Sequence, residues 1–243
     1  MAWFGLACIE WHTLLPRWLG PDAVVLDLGA NRGRFTAGMH RRFGCRCIGV
    51  EAAGDLFAGL QAGERTEFHH FAVMGTAGTT TIYRGANDMA ASALGGQPAA
   101  CEAAAGELVP ARRLDEFVAA LALPRLDLIK MDIEGAEIAV FDSLSDDFLR
   151  RIPQWTVEFH DFCGLVPAAE VLRILARMRR LGFVVFKMSR IGHQDTLLVQ
   201  RDLIPLPAWW IFLVQHVLRH LLGAMRVLLR SLRIPPERYP YYS

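Results

Sequence analysis

Apolar residues gather in short runs of strand length at 23–28, 48–50, 126–133 and 155–159, and the segments between repeat at helical spacing. Segments 34–43, 113–121, 136–144 and 167–181 read as helices. Leu114, Phe117, Val118 and Leu121 share one face of the second, while Arg173, Arg177 and Arg180 form a solvated face on the last. Further strands are predicted at 67–73 and 79–83, the latter polar and β-branched, as an exposed strand is. Two final strands, 183–188 and 196–200, are joined by a link too short for a parallel crossover, so they pair antiparallel. Strand and helix alternate and then close on a hairpin. That order predicts an α/β fold: a doubly wound, mostly parallel sheet with an antiparallel edge strand.

The two ends leave this rhythm. Residues 1–22 carry Glu10, His12 and Arg17 among tryptophans and leucines, and read as an amphipathic helix capping a domain of 23–201. They lack the basic start and clean apolar core of a signal peptide. Segment 84–106, rich in alanine and glycine, reads as a long loop, either part of the mouth of a site or a mobile surface loop. From 202 to 243 an extension begins, in which Trp209 and Trp210 sit in an apolar run and Arg219, Arg226, Arg230 and Arg233 fall near one helical face. The run is short of the ~20 apolar residues of a membrane span. A basic amphipathic helix over 206–233 suits contact with an anionic membrane surface; packing on its own domain or on a partner subunit are the alternatives.

Composition changes this picture only slightly. The chain of 243 residues suits one α/β domain with extensions, and a net charge of +1 gives no ground for a nucleic-acid partner. A mean hydropathy of +0.24 is high for a soluble enzyme, and the C-terminal run accounts for the excess. Five cysteines without a C-x-x-C suit a reducing compartment, and Cys45-x-Cys47 on a predicted strand reads as buried thiols rather than a metal site or a disulfide. The expected location is cytoplasmic, peripheral at the inner membrane face if 206–233 binds there. Oligomeric state is not legible.

The chemistry centres on Leu26-Asp27-Leu28-Gly29-Ala30-Asn31-Arg32-Gly33, a strand, a glycine turn and a helix start. Gly29 and Gly33 let the backbone turn sharply and a ligand come close. A dinucleotide fold wants G-x-G-x-x-G; here one glycine is missing and an acid, Asp27, precedes the turn, badly placed for a pyrophosphate. An acid there suits a cationic amine. Glu51 ends the next strand, where a carboxylate can hold both hydroxyls of a ribose. Together these residues read as a nucleoside site without a diphosphate, the cofactor being one like S-adenosyl-L-methionine.

A second motif runs Leu128-Ile129-Lys130-Met131-Asp132-Ile133-Glu134-Gly135-Ala136-Glu137. Charges within an apolar strand are costly unless paired or used, so Lys130 is expected to pair with a nearby acid. This stretch, with the glycine turn and Gly49-Val50-Glu51-Ala52, resembles the FkbM family of S-adenosylmethionine-dependent methyltransferases. Ala72-Val73-Met74-Gly75 and Val157-Glu158-Phe159-His160 resemble that family's next segments, and the resemblance runs from about 24 to 200. It implies a seven-stranded, Rossmann-like class I methyltransferase sheet. The implied reaction is methylation of a hydroxyl on a glycan, glycolipid or related natural product.

On this reading Asp27, Gly29, Asn31, Gly33, Glu51 and Val73 line the cofactor. His160 is the first candidate base, with Asp132 and Glu134 as rivals, because the acceptor hydroxyl must lose a proton. Asp132, Glu134, Glu158 and His160 are also of the types that hold a divalent ion, although no spacing demands one and no metal is assigned. Two rival readings remain: a nicotinamide-dependent oxidoreductase, and a membrane-associated scaffold with an inactive methyltransferase-like domain.

Overall fold

The computed structural model describes residues 5–84, 91–92, 106–205 and 207. The predicted membrane-contacting helix over 206–233 lies outside these residues except for Pro207, as does most of the long segment 84–106. Among the described residues, no helix is long and apolar enough to cross a membrane. In chain order the elements are β1 (Ala7–Ile9), β2 (His12–Leu14), β3 (Val24–Leu28), α1 (Arg34–Phe43), β4 (Arg46–Glu51), α2 (Gly54–Ala58), β5 (Thr66–His70), β6 (Ala72–Val73), β7 (Gly78–Arg84), β8 (Ala91–Ser92) and β9 (Glu107–Arg112). There follow α3 (Leu114–Ala120), β10 (Leu128–Met131), α4 (Glu137–Ser143), α5 (Asp146–Arg151), β11 (Gln154–Val157), α6 (Ala168–Arg180), β12 (Phe183–Lys187) and β13 (Thr196–Gln200).

A seven-stranded sheet runs β12-β13-β11-β10-β3-β4-β5. β13 is antiparallel to both β11 and β12, and the other strands of the sheet share one direction. The antiparallel strand therefore lies one place in from the edge, whereas the sequence reading put it at the edge. Burial explains the order. Thr196 to Val199 of β13 are all buried, as a central strand requires, while β12 alternates between buried and half-buried residues, as an edge strand does.

The predicted strand 67–73 divides. β5 stays in the main sheet, and β6 turns away to join β9 in a four-stranded sheet ordered β6-β9-β7-β8. β9 went unpredicted because Pro110 interrupts it, although Val109 and Ala111 alternate inward.

The N-terminal segment is a correction as well. Residues 7–14 form a β-hairpin, not a capping helix. Its turn residues Glu10 and Trp11 both have positive φ, at 45° and 70°, as the tight turns that suit hairpin twist require. The hairpin is tied to the domain by Gln154, whose side chain accepts from Leu15 N (3.0 Å) and donates to Leu15 O (3.2 Å). Asp195 accepts from both the amide and the hydroxyl of Thr13.

Period-two alternation sorts the strands onto two faces. Leu26 and Leu28, Ile129 and Met131, and Trp155 and Val157 pack with residues of α3, α4, α5 and α6 in the larger core. Val25 and Leu128 face the other way and pack with Phe35 and Met39 of α1 and Leu14 of the hairpin. Asp27, Lys130 and Thr156 have the parity of this second face, and the strand register sets Lys130 beside both of the others. The buried polar groups of the sheet thus gather on one side, at the strands' C-terminal ends.

Candidate active site

The glycine turn follows β3 and is held to β4 by Gly29 N and Ala30 N, which both donate to Val50 O at 2.9 Å. Gly29 has φ +76°, and a Cβ there would lie 1.8 Å from the carbonyl oxygen of Asp132. Glycine is needed at this point so that the turn can press against the end of β10. Gly33, at φ +70°, is the N-cap of α1. Asn31, also left-handed at φ 51°, gives its backbone N–H to Glu51 Oε2 at 2.6 Å.

Glu51 is nearly buried, and its Oε1 accepts from Ala53 N at 2.8 Å. Burial pushes its carboxyl above the ordinary range, against the backbone N–H groups that stabilise the charge. An ionised carboxylate has about four acceptor positions, and with Ala52 N also favouring the charge at least one position stays open. A ribose diol matches that spare capacity, and the donor set fits the nucleoside half of S-adenosyl-L-methionine.

Asp27 and Val73 differ from expectation. Asp27 is fully buried; its Oδ2 accepts from Thr36 Oγ1 (2.8 Å) and its Oδ1 lies 3.2 Å from Lys130 Nζ. Lys130 is itself buried and also donates to Leu28 O (3.2 Å) and Gly29 O (2.6 Å). Burial opposes its charge, but Asp27 and Asp132 hold its pKa above the ordinary value. In this arrangement Asp27 anchors the ammonium that clamps the turn and has no surface left for a ligand. Val73 packs within the larger core.

The acids that do reach the crevice follow β10 and β11. Asp132 is 27% exposed and Glu134 22% at their side chains. Asp132 Oδ2 lies 3.6 Å from Lys130 Nζ and 3.8 Å from His12 Nε2, and its Oδ1 is 3.6 Å from His160 Nε2. Burial works against ionisation of Asp132, yet Lys130, His12 and His160 hold its carboxyl below the usual range.

His160 is not placed as a free base. Its Nδ1 lies 2.9 Å from Glu137 Oε1 and its Nε2 3.1 Å from Glu134 Oε2. Burial disfavours the imidazolium, but Glu134 and Glu137 push its pKa up to about 11. With both nitrogens donating to carboxylates, no lone pair is left to take a proton from an acceptor. Glu158 differs: burial first, and Asp132 next, push its carboxyl up to about 7.

Of the residues singled out from sequence, the structure gathers Asp132, Glu134, Lys130, Glu158 and His160 beside the turn, with Glu51 on its other flank. Two contributors went unrecognised. His12 comes from the hairpin, buried, with Nδ1 3.5 Å from Thr156 Oγ1, and no local signal announces it. Glu137, wholly buried, also accepts from Ile133 N and Gly135 N. Its place three residues after Glu134, across a glycine, was the available signal. Ligand-type atoms of Asp132, Glu134 and His160 lie within 4.8 Å of one another, as do those of His12, Asp132 and Glu158.

Residues 27–185 match the methyltransferase FkbM domain, more than half of the chain. A 91-residue stretch, 37% of the chain, is 35% identical to part of the AMB antimetabolite synthetase AmbE of Pseudomonas aeruginosa, and covers only 4% of that protein. Among solved structures, fibrillarin of Aeropyrum pernix with natively bound S-adenosyl-L-methionine is 12% identical, with a TM-score of 0.41 over 74% of this chain and 66% of that one. Precorrin-6y C5,15-methyltransferase of Geobacter metallireducens is 11% identical, with a TM-score of 0.38 over 75% of this chain and 80% of that one.

Proposed function

The chain belongs to the FkbM methyltransferase family and is an S-adenosyl-L-methionine-dependent methyltransferase; from that premise we propose that it methylates a hydroxyl group of a glycan, glycolipid or related natural product. When bound, the cofactor supplies an electrophilic methyl group on a sulfonium. The chain's own residues would do the rest. Glu51 would hold the ribose diol, and Gly29, Asn31 and Gly33 shape the turn beside it.

The observation that carries the acceptor class is the row of carboxylates at the ends of β10 and β11. Asp132 and Glu134 present acceptor oxygens next to the turn, and ionised carboxylates accept hydrogen bonds without donating; Glu158, its carboxyl pushed up to about 7, can accept or donate beside them. A polyol offers the matching donors. His160, paired on both sides, orients Glu134 and Glu137 in this reading and takes no proton from the acceptor. Similarity to a segment of an antimetabolite synthetase agrees with a natural-product acceptor. A lipid-linked acceptor rests on the basic, tryptophan-bearing sequence of 206–233 alone.

The test has two stages. Calorimetric titration of the full chain with S-adenosylhomocysteine should give saturable binding, weakened in Glu51→Ala. Methyl-labelled cofactor is then supplied with polysaccharide and glycolipid extracts. The expected product is an alkali-stable methyl ether; label recovered as a methylamine would overturn the hydroxyl acceptor.

A further inference from the structure

We propose that Asp132, Glu134 and His160 form a binding site for one divalent transition-metal ion beside the cofactor turn. Ligand atoms about 2.1 Å from an ion lie roughly 3.0–3.4 Å apart in octahedral or tetrahedral geometry. His160 Nε2 is 3.1 Å from Glu134 Oε2 and 3.6 Å from Asp132 Oδ1, close to those separations, and an ion would take the place of the proton that Nε2 shares with Glu134.

Three further observations point the same way. First, His160 Nδ1 donates to Glu137, which is pinned by Ile133 N and Gly135 N. A carboxylate behind the far nitrogen of an imidazole is how metal-bound histidines are oriented. Second, Glu137 Oε2 is buried without a hydrogen-bond partner among the described residues. A buried oxygen left that way is a polar group that its surroundings do not satisfy. Lys130 is already shared with Asp27. Third, Glu134 holds φ 53°, a left-handed conformation that a non-glycine residue seldom adopts and that clusters at functional sites.

His12 and Glu158 flank Asp132 on its other side, where His12 steadies the ligating carboxylate through Oδ2. One imidazole and two carboxylates, with no thiolate among them, suit Mn2+, Fe2+ or Zn2+ better than a soft ion. Binding of the ion stands on this geometry alone. Its use rests on the methyltransferase reading: an ion here would hold the acceptor oxygen and ease release of its proton to solvent as the methyl passes from sulfur to oxygen, a task for which His160 has no free nitrogen.

The experiment is titration of chelator-treated, dialysed full-length protein with Mn2+, followed by calorimetry and by the electron paramagnetic resonance of free Mn2+. One equivalent should bind, and Zn2+ should compete. Glu134→Gln and Asp132→Asn, accepted only if their melting curves remain cooperative, should each weaken Mn2+ at least about tenfold, or 1.4 kcal/mol. Glu67→Gln, altering the exposed pair with Arg46, should change nothing. Absence of saturable binding of Mn2+ and Zn2+ by folded wild-type protein would overturn the proposal, as would full affinity in both variants. S-adenosylhomocysteine titrated into the same samples separates the two readings. Nucleoside binding without metal binding sinks only the metal site, and the reverse result sinks only the methyltransferase chemistry.

Discussion

Replacing Gly29 by alanine tests whether the turn needs to press against β10. Two costs add. Alanine at φ +76° is strained by roughly 1–2 kcal/mol. The new Cβ would then sit 1.8 Å from the Asp132 carbonyl oxygen, backbone that cannot rotate away, and relieving such overpacking costs about 1–3 kcal/mol more. The expected loss is therefore about 2–5 kcal/mol, a large share of the ~5–15 kcal/mol that holds a domain together. Gly182 provides the control: its φ is +93° and a Cβ there meets nothing within 4 Å, so Gly182→Ala carries the strain without the collision. Both variants would be followed by urea unfolding, and the surviving folded protein titrated with S-adenosylhomocysteine. Gly29→Ala should lose about 1–3 kcal/mol more than Gly182→Ala, with a melting temperature lower by a further ~2–12 °C at this chain length. It should also bind the nucleoside more weakly, since the Glu51-facing turn has shifted. Equal losses in the two variants would refute the close approach as the reason for glycine.

The Asp27–Lys130 pair makes a second test. Lys130→Met leaves Asp27 buried without its cation and should cost roughly 3–5 kcal/mol, most of it recovered when Asp27→Asn is added. A double variant no more stable than Lys130→Met, measured by urea unfolding, would show that the two charges are not coupled. Glu51 yields a pH prediction. Its folded pKa is raised, so its contribution to stability is fullest below the unfolded value and declines as pH rises through the folded one. Holding a diol needs the ionised form, so affinity for S-adenosylhomocysteine should fall on acidification at a pH above the ordinary carboxylate range. Calorimetry across pH reads this, and an affinity in Glu51→Gln that falls in the same window would assign the dependence elsewhere.

Much of the site was legible because its signals are local. Asp27, Glu51 and Asp132 each end a short apolar run at a turn, and period-two alternation with glycine punctuation is written within a few residues. The alternation of strand and helix follows from the same local rhythms and predicts the α/β class. What each acid does is another matter. Asp27 looked like a ligand group, but pairing of β3 with β10 sets Lys130 directly beside it and closes it off. His160 looked like a base until the start of α4 brought Glu137 against one nitrogen while Glu134 took the other.

The chain by itself determined which segments are strands and helices over most of its length, since hydrophobic period and turn chemistry depend on near neighbours. Only the tertiary structure decided that residues 7–14 pair as a hairpin, because so short an apolar run has no period that separates helix from strand. Burial likewise chose β13 over β12 for the inner position, a choice made by the neighbouring sheet. His12 and His160 approach opposite oxygens of Asp132 from distant parts of the chain. That meeting depends on strand order and on which face the hairpin covers, long-range pairings that no window of the sequence contains.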